Sequence, residues 1–288
     1  MSANKFIPEL WSAKILAALD KQLVYSELFN RDYEGEITEA GDTVHIAQVG
    51  AVEIKDFKCG TDIAAADDIN ATDNVLKIDQ AKYFNIGVCD LDAAQSKINL
   101  LDEATKRAGY GFADVADAYL GKLLATSGTA TDGLGTKSSP ITVDEANAYE
   151  TIVKMKTALD KANLPKAGRK AVVPPEFEGY MLLDPRFVQV GTDASNDRLE
   201  EGTIYRAAGF EIRVSNNVPT EADGGSGSTE VFKVVASSPM QGTFAQQILK
   251  TEAYRPEKRF GDAVKGLHAY GAKVLYPAAV AVAVVAFK

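Results

Sequence analysis

The sequence predicts an α+β protein in which one long helix and a separate α/β unit are linked by extended hairpins. Three observations predict it. Residues 36 to 90 carry runs that alternate apolar and polar side chains, the period of strands. Residues 91 to 123 repeat apolar side chains every three or four positions, the period of a helix. The chain then closes on "YPAAVAVAVVAFK", in which Ala278 to Phe287 pass without a charge or a hydrogen-bonding side chain. With 288 residues, 46% apolar and 25% charged, the composition is globular and the length suits two domains or one elaborate one.

The elements follow in order. Pro8 suits a first helical turn, where its missing N–H is no loss. Trp11, Ile15, Leu19 and Leu23 then form one stripe, packed either on its own domain or on a neighbouring molecule. In "DTVHIAQVGAVEIKDF" and "NVLKIDQAKYFNIGV", Val44 and Ile46, Val52 and Ile54, and Leu76 and Ile78 alternate with polar residues. Between these strands lies the turn-rich "KCGTDIAAADDINATD". A long two-stranded arm with an irregular tip is expected. From Glu36 to Asp79 ten Asp or Glu stand against three Lys, so the arm carries −7 of the chain's −9. An isolated hairpin is marginal in water, and one so charged needs a surface to lie on.

The longest helix is expected to start at Asp92 and to run through Leu123. Asp92 and Gln95 make a capping-box-like pair. Leu91, Ala94, Ile98, Leu101, Ala104, Ala108, Phe112, Val115, Tyr119 and Leu123 form its apolar stripe. Its length is on the order of 50 Å at 1.5 Å per residue. Gly109 and Gly111 predict a bend or a close contact, since each costs about 1 kcal/mol relative to Ala. After "TSGTATDGLGTKSSP", Thr142 and Glu145 match a T-x-x-E capping box. Ala148, Ile152, Met155 and Leu159 supply the buried face of the helix that follows, and Pro165 stops it. "KAVVP", "PPEFEGYMLLD", "GFEIRVSNNVP" and "EVFKVVASS" then alternate strands with short helices in a mixed sheet, with "TEADGGSGSTE" as a surface loop.

From Lys250 to Lys273 six Lys or Arg stand against three acidic residues, giving +3. This is a second long hairpin, its first half kept to an edge by Pro256. The closing apolar run is half the length of a membrane-spanning helix, and the start, "MSANKFIPEL", has no signal core. It reads instead as a central strand buried on both faces. Val280, Val282 and Val284 point one way; Ala279, Ala281 and Ala283 point the other and admit a close neighbour.

No catalytic cluster is visible. The only histidines, His45 and His268, lie in strand-like segments without partners at ligand spacing, so no metal is expected. "GLGTKSS" separates Gly135 from Lys137 by Thr136 and lacks the spacing of a phosphate loop. "GGSGS" lacks the last glycine of a nucleophile elbow. Cys59 and Cys89 have no metal or redox spacing and read as reduced thiols, with one disulfide as the alternative. No cofactor is implied, and the acidic balance argues against a general phosphate-binding surface. The sequence does not read as an enzyme.

"FIPELWSAKILAALDKQLVYSELFNRDYEGEITEAGDTVHI" and "RFGDAVKGLHAYGAKVLYPAAVAVAVV" are similar to the openings and closing hairpins of phage coat proteins. As an order of elements, the whole chain resembles the major capsid protein of tailed bacteriophages, a fold shared with herpesvirus capsid proteins. That resemblance implies an N-terminal arm over 1–35 and an extended loop over 36–90. It implies a peripheral domain with a spine helix over 91–140 and an axial α/β domain over 141–240. The peripheral hairpin would span 241–276, and a strand over 277–288 would return to the axial domain.

The implied function is an icosahedral head shell assembled from hexamers and pentamers of this chain in the host cytoplasm. It would enclose DNA without sequence-specific binding and without a membrane. A bacterial nanocompartment (encapsulin-like) shell of the same fold is the alternative. Some relatives carry a cleaved scaffolding segment, whereas this chain enters its arm within about ten residues, so a separate scaffolding protein is expected beside a portal. Lys55 and Lys58 lie where some relatives crosslink to an Asn, but no crosslink is expected. The opposed charges predict contacts between subunits: Asp56, Asp62, Asp67 or Asp68 of the loop against Arg255, Lys258 or Arg259 of the hairpin. Trp11 of the arm is a further candidate contact.

Overall fold

The computed structural model describes residues 23–33, 43–49, 54, 56, 59, 62, 71–89, 100–128, 133–184, 186, 204–222, 230–258 and 260–287. The predicted arm helix with Trp11, the cap at Asp92, the sequence 91–99, and Asp67, Asp68 and Arg259 lie outside them.

Three sheets and a long helix make up the described fold. β1 (Thr43–Val49) pairs antiparallel with β2 (Ala71–Lys77), with Thr43 opposite Lys77 and Val49 opposite Ala71. β3 (Gln80–Cys89) does not continue this ribbon. It pairs with β11 (Gly261–Val274), which pairs in turn with β10 (Gly242–Tyr254). The single strand expected over "NVLKIDQAKYFNIGV" is therefore two strands, broken at Ile78 and Asp79. Hydrophobic alternation carries across that break, so period alone could not reveal it. β10 is an edge strand, and Pro256 sits in the turn beyond it.

The larger, seven-stranded sheet runs β4 (Ile141–Val143), β12 (Val280–Phe287), β9 (Glu230–Ser237), β5 (Lys170–Val173), β7 (Phe210–Val214) and β6 (Arg206–Ala207). β8 (Thr220–Ala222) also pairs with β9, so the segment read as a surface loop begins as a strand. β4–β12 and β5–β7 are parallel and the other pairs antiparallel, which makes the sheet mixed. Ala208 and Gly209 turn β6 into β7 with positive φ at both positions, the requirement of a tight hairpin turn.

β12 is the central strand that its composition predicts. Ala281, Ala283 and Val285 enter one core with Ile152, Met155 and Leu159 of α2 (Ala148–Lys161) and Phe177 and Met181 of α3 (Pro175–Leu183). Val280 and Val282 enter the opposite core, beneath the spine helix α1 (Leu100–Ser127). Small side chains on the α2 side let the helix approach the sheet. Ala283→Leu should therefore destabilise the fold by about 1–3 kcal/mol through overpacking, measured by urea unfolding.

α1 has 28 described residues, about 42 Å of helix. Its buried stripe is Phe112, Ala113, Ala116, Leu120 and Leu124, with Asp117 and Gly121 among them. The stripe expected from sequence is rotated from this one, and Val115 is exposed. A buried carboxylate and a buried glycine interrupt the apolar signal on the face that packs. Nothing approaches the position of a side chain at Gly111; the close contact falls at Gly121, where a Cβ would lie 3.0 Å from the Tyr25 ring.

The capping box does not form. Thr142 belongs to β4, and the carboxylate of Asp144 accepts from the backbone N–H groups of Ala146 and Asn147 at 3.0 Å. Asn147 is the residue before the helix, and its Nδ2 donates to the Thr142 carbonyl. α2 ends at Lys161, before Pro165, as Asn163 turns to φ 56°.

Candidate assembly surfaces

Residues 23–33 connect α1, β5, β7 and β10. The Asp117 carboxylate on α1 accepts from the backbone N–H groups of Val24 at 2.9 Å and Tyr25 at 2.7 Å, and the Ser215 hydroxyl lies 3.4 Å away. Burial raises its pKa to about 6, while these hydrogen bonds and the nearby Asn217 side chain act in the opposite direction. Two residues on, Glu27 accepts from Lys170 of β5 at 2.9 Å and lies 3.1 Å from Arg213 of β7. Despite partial burial, those two cations hold the Glu27 carboxyl below its usual range. Asn30 then forms a parallel bridge to Thr243 of β10, and Gln241 Nε2 donates to the Leu28 carbonyl at 3.0 Å. Tyr25 and Leu28 complete the core under α1. Sequence period gives no sign of this segment, because what fixes it is hydrogen bonding to residues about 90 to 210 positions away.

The three-stranded sheet has two distinct faces. Phe244, Tyr270 and His268 turn to the spine helix, with His268 ring centroids 5.2 Å from Phe112 and 5.1 Å from Tyr270. Burial lowers the His268 pKa to about 4 and keeps it neutral at physiological pH, and neither ring nitrogen has a hydrogen-bond partner among the described residues. This histidine is a packing residue. His45 is exposed on β1, with Nδ1 2.7 Å from the Asp73 carboxylate on β2. Among the described residues no group of three or more His, Cys, Asp or Glu side chains could hold a metal, and no helix is long and apolar enough to cross a membrane. "GLGTKSS" serves packing: Leu134 is buried in the α2 core, and its carbonyl accepts from the Val284 N–H at 2.8 Å.

On the opposite face, Ala245 and Ala269 meet Val44, Ile46, Leu76 and Ile78 of the β1–β2 ribbon. Gly271 belongs to this contact; a Cβ there would stand 2.1 Å from the Lys77 carbonyl oxygen. Thus the root of the acidic loop is seated on the sheet whose far end carries the basic turn. Asp56 and Asp62 are exposed, as are Arg255 and Lys258 at that turn. Neither aspartate has an ion-pair partner among the described residues. Ile54 and Phe260, 90% and 85% exposed, place large apolar side chains in solvent within the same two regions.

A model of the family described as phage capsid protein matches residues 61–283. A solved structure from Mycobacterium phage Che8 is 32% identical, with a TM-score of 0.73 over 93% of this chain and 91% of that one. The capsid structure of the cyanophage P-SCSP1u shares the fold at 15% identity, with a TM-score of 0.72 over 92% and 88% of the two chains. A virus-like particle from Pyrococcus furiosus is a more distant likeness, 12% identical with a TM-score of 0.53 over 96% and 98%. No curated protein matches significantly. With that family model matching residues 61–283 and the Che8 structure 32% identical over nearly the whole of both chains, the chain belongs to the phage capsid protein family.

Proposed function

We propose that this chain builds the shell of a tailed-phage head from pentamers and hexamers of itself, in the host cytoplasm, around DNA that it contacts without sequence preference. In this reading α1 and the three-stranded sheet form the peripheral domain and the seven-stranded sheet with α2 and α3 forms the axial domain. A separate scaffolding protein and a portal complete the assembly. The role is structural, with no catalytic step. The observation that carries the reading is the charge-separated layout: a −7 loop rooted on one end of a sheet whose other end is basic. A surface on one subunit that matches a different surface on the next closes into rings.

Within that shell, Asp56, Asp62, Asp67 or Asp68 of one subunit faces Arg255, Lys258 or Arg259 of its neighbour, and Trp11 packs across a subunit boundary. Each exposed pair contributes about 0–1 kcal/mol, so the effect arises from repetition around the shell. Replacing Arg255, Lys258 and Arg259 together with Glu should abolish or misdirect assembly while leaving the subunit folded. Electron microscopy and circular dichroism check the two halves of that statement; regular shells from the triple variant would reject the pairing. Nuclease-protected DNA in purified particles supports the head reading, whereas a defined enzyme cargo would assign the particle to the nanocompartment class.

A further inference from the structure

Among the described residues, the β1–β2 ribbon covers only part of the loop-bearing face of the three-stranded sheet. Beyond Ala269 the same face continues toward the turn as Leu267, with Tyr83 directly opposite it on β3, and then as Lys265 opposite Glu252. Tyr83, Phe84, Gly266 and Leu267, with Glu252 and Lys265, line a groove of about 280 Å³. Apolar cavities of about 150 Å³ already hold a benzene ring, so this groove accepts an aliphatic side chain. Its rim is fixed: Lys265 pairs with Glu252 at 2.7 Å and lies 5.3 Å from the Tyr254 ring centre, and Tyr254 meets Asn85 at 2.8 Å. Its apolar part is open, since Tyr83 is 79% exposed.

A complementary group exists on the same chain. Ile54 is 90% exposed and stands in the acidic loop sequence between Glu53 and Lys55, with Asp56 next. Within one subunit Ile54 is not among the residues that line the groove, and its side chain is exposed. We propose that Ile54 of one subunit seats in the Tyr83–Leu267 groove of a second copy of this chain and is the apolar anchor of the loop-to-hairpin contact. Opposite net charge, −7 on residues 36–79 and +3 on residues 250–273, brings the two segments together. Ion pairs at a wet surface tolerate sliding. A desolvated side chain in a shaped groove does not, and fixes the register. This anchor rests on the shell reading above and adds a residue-level contact to it.

The test places cysteines at both positions, Ile54→Cys with Tyr83→Cys, in a chain carrying Cys59→Ser and Cys89→Ser. Oxidised shells should give a ladder of covalent multimers on a non-reducing gel, and each single-cysteine control should lack it. Normal shells without a ladder would overturn the anchor, as would an oxidised monomer band showing that Ile54 reaches its own groove. Should the double-cysteine chain fail to assemble, Ile54→Leu and Ile54→Asp decide. Shells from the leucine variant and loss of shells from the aspartate variant support the anchor. Full yield from the aspartate variant, or loss from the leucine variant, overturns it. Failure of the unaltered chain to form shells under the same conditions would instead remove the shell reading itself.

Discussion

Asp117→Ala should destabilise the unassembled subunit by about 2–4 kcal/mol, because the buried N–H of Tyr25 and the part-buried N–H of Val24 lose their acceptor and a buried group costs about 1–3 kcal/mol unsatisfied. Those groups belong to Val24 and Tyr25, so the damage is directed at the segment that links α1, the seven-stranded sheet and β10. The core beneath should loosen with it, since Tyr25 and Leu28 lie fully within. Asp117→Asn is the informative control. Its Oδ1 can still accept from both N–H groups, so stability near neutral pH should stay close to that of the unaltered chain. Urea unfolding with tryptophan-independent detection, such as far-ultraviolet circular dichroism, measures both.

The same pair of variants fixes the sign of a pH dependence. Asp117 has a folded pKa of about 6, above its usual value of 3.8, so the folded state binds more protons between those values. Its contribution to stability therefore falls as pH rises through that window. His268 acts in the opposite sense: its folded pKa of about 4 lies below 6.5, so its contribution is lost as pH falls from 6.5 toward 4. The two offset one another in the intact subunit. Asp117→Asn should make stability drop more steeply on acidification from pH 6 to 4. His268→Phe, which keeps a ring between Phe112 and Tyr270, should make the drop shallower.

Gly271→Ala should have the second large effect, on assembly more than on the fold. The added Cβ would stand 2.1 Å from the Lys77 carbonyl oxygen and 3.0 Å from the Ile78 Cα, both backbone atoms that no rotamer change can move. Relief requires the β1–β2 ribbon to lift from the three-stranded sheet, which exposes Leu76 and Ile78, both buried in the native contact. Overpacking of this kind costs about 1–3 kcal/mol and at rigid backbone sites more. Limited proteolysis should cut residues 36–90 faster in the variant, and shell yield should collapse. Unchanged proteolysis and yield would mean that the loop root is not held at Gly271.

Apolar patterning makes β12 and the buried face of α2 legible in the sequence: β12 is apolar on both of its faces, and α2 repeats apolar side chains on one. Ala148, Ile152, Met155 and Leu159 are buried as their spacing implies. The stripe of the spine helix was less legible, since Asp117 and Gly121 occupy its packed face and dilute the signal there. The break between β2 and β3 was hidden by alternation that runs through Ile78. Least visible was the stitching of residues 23–33, where Asp117, Lys170, Arg213 and Gln241 meet one short segment from distant parts of the chain. Charge counts located the acidic loop and basic turn. Only the structure set Leu267 opposite Tyr83 and left Ile54 in solvent.

The decisive measurement is electron microscopy of the purified chain at high concentration, alone and with a scaffolding partner. Closed shells whose map shows residues 36–90 of each subunit lying on the β10–β11 hairpin of its neighbour are the predicted result. A stable, compact monomer under both conditions would contradict it.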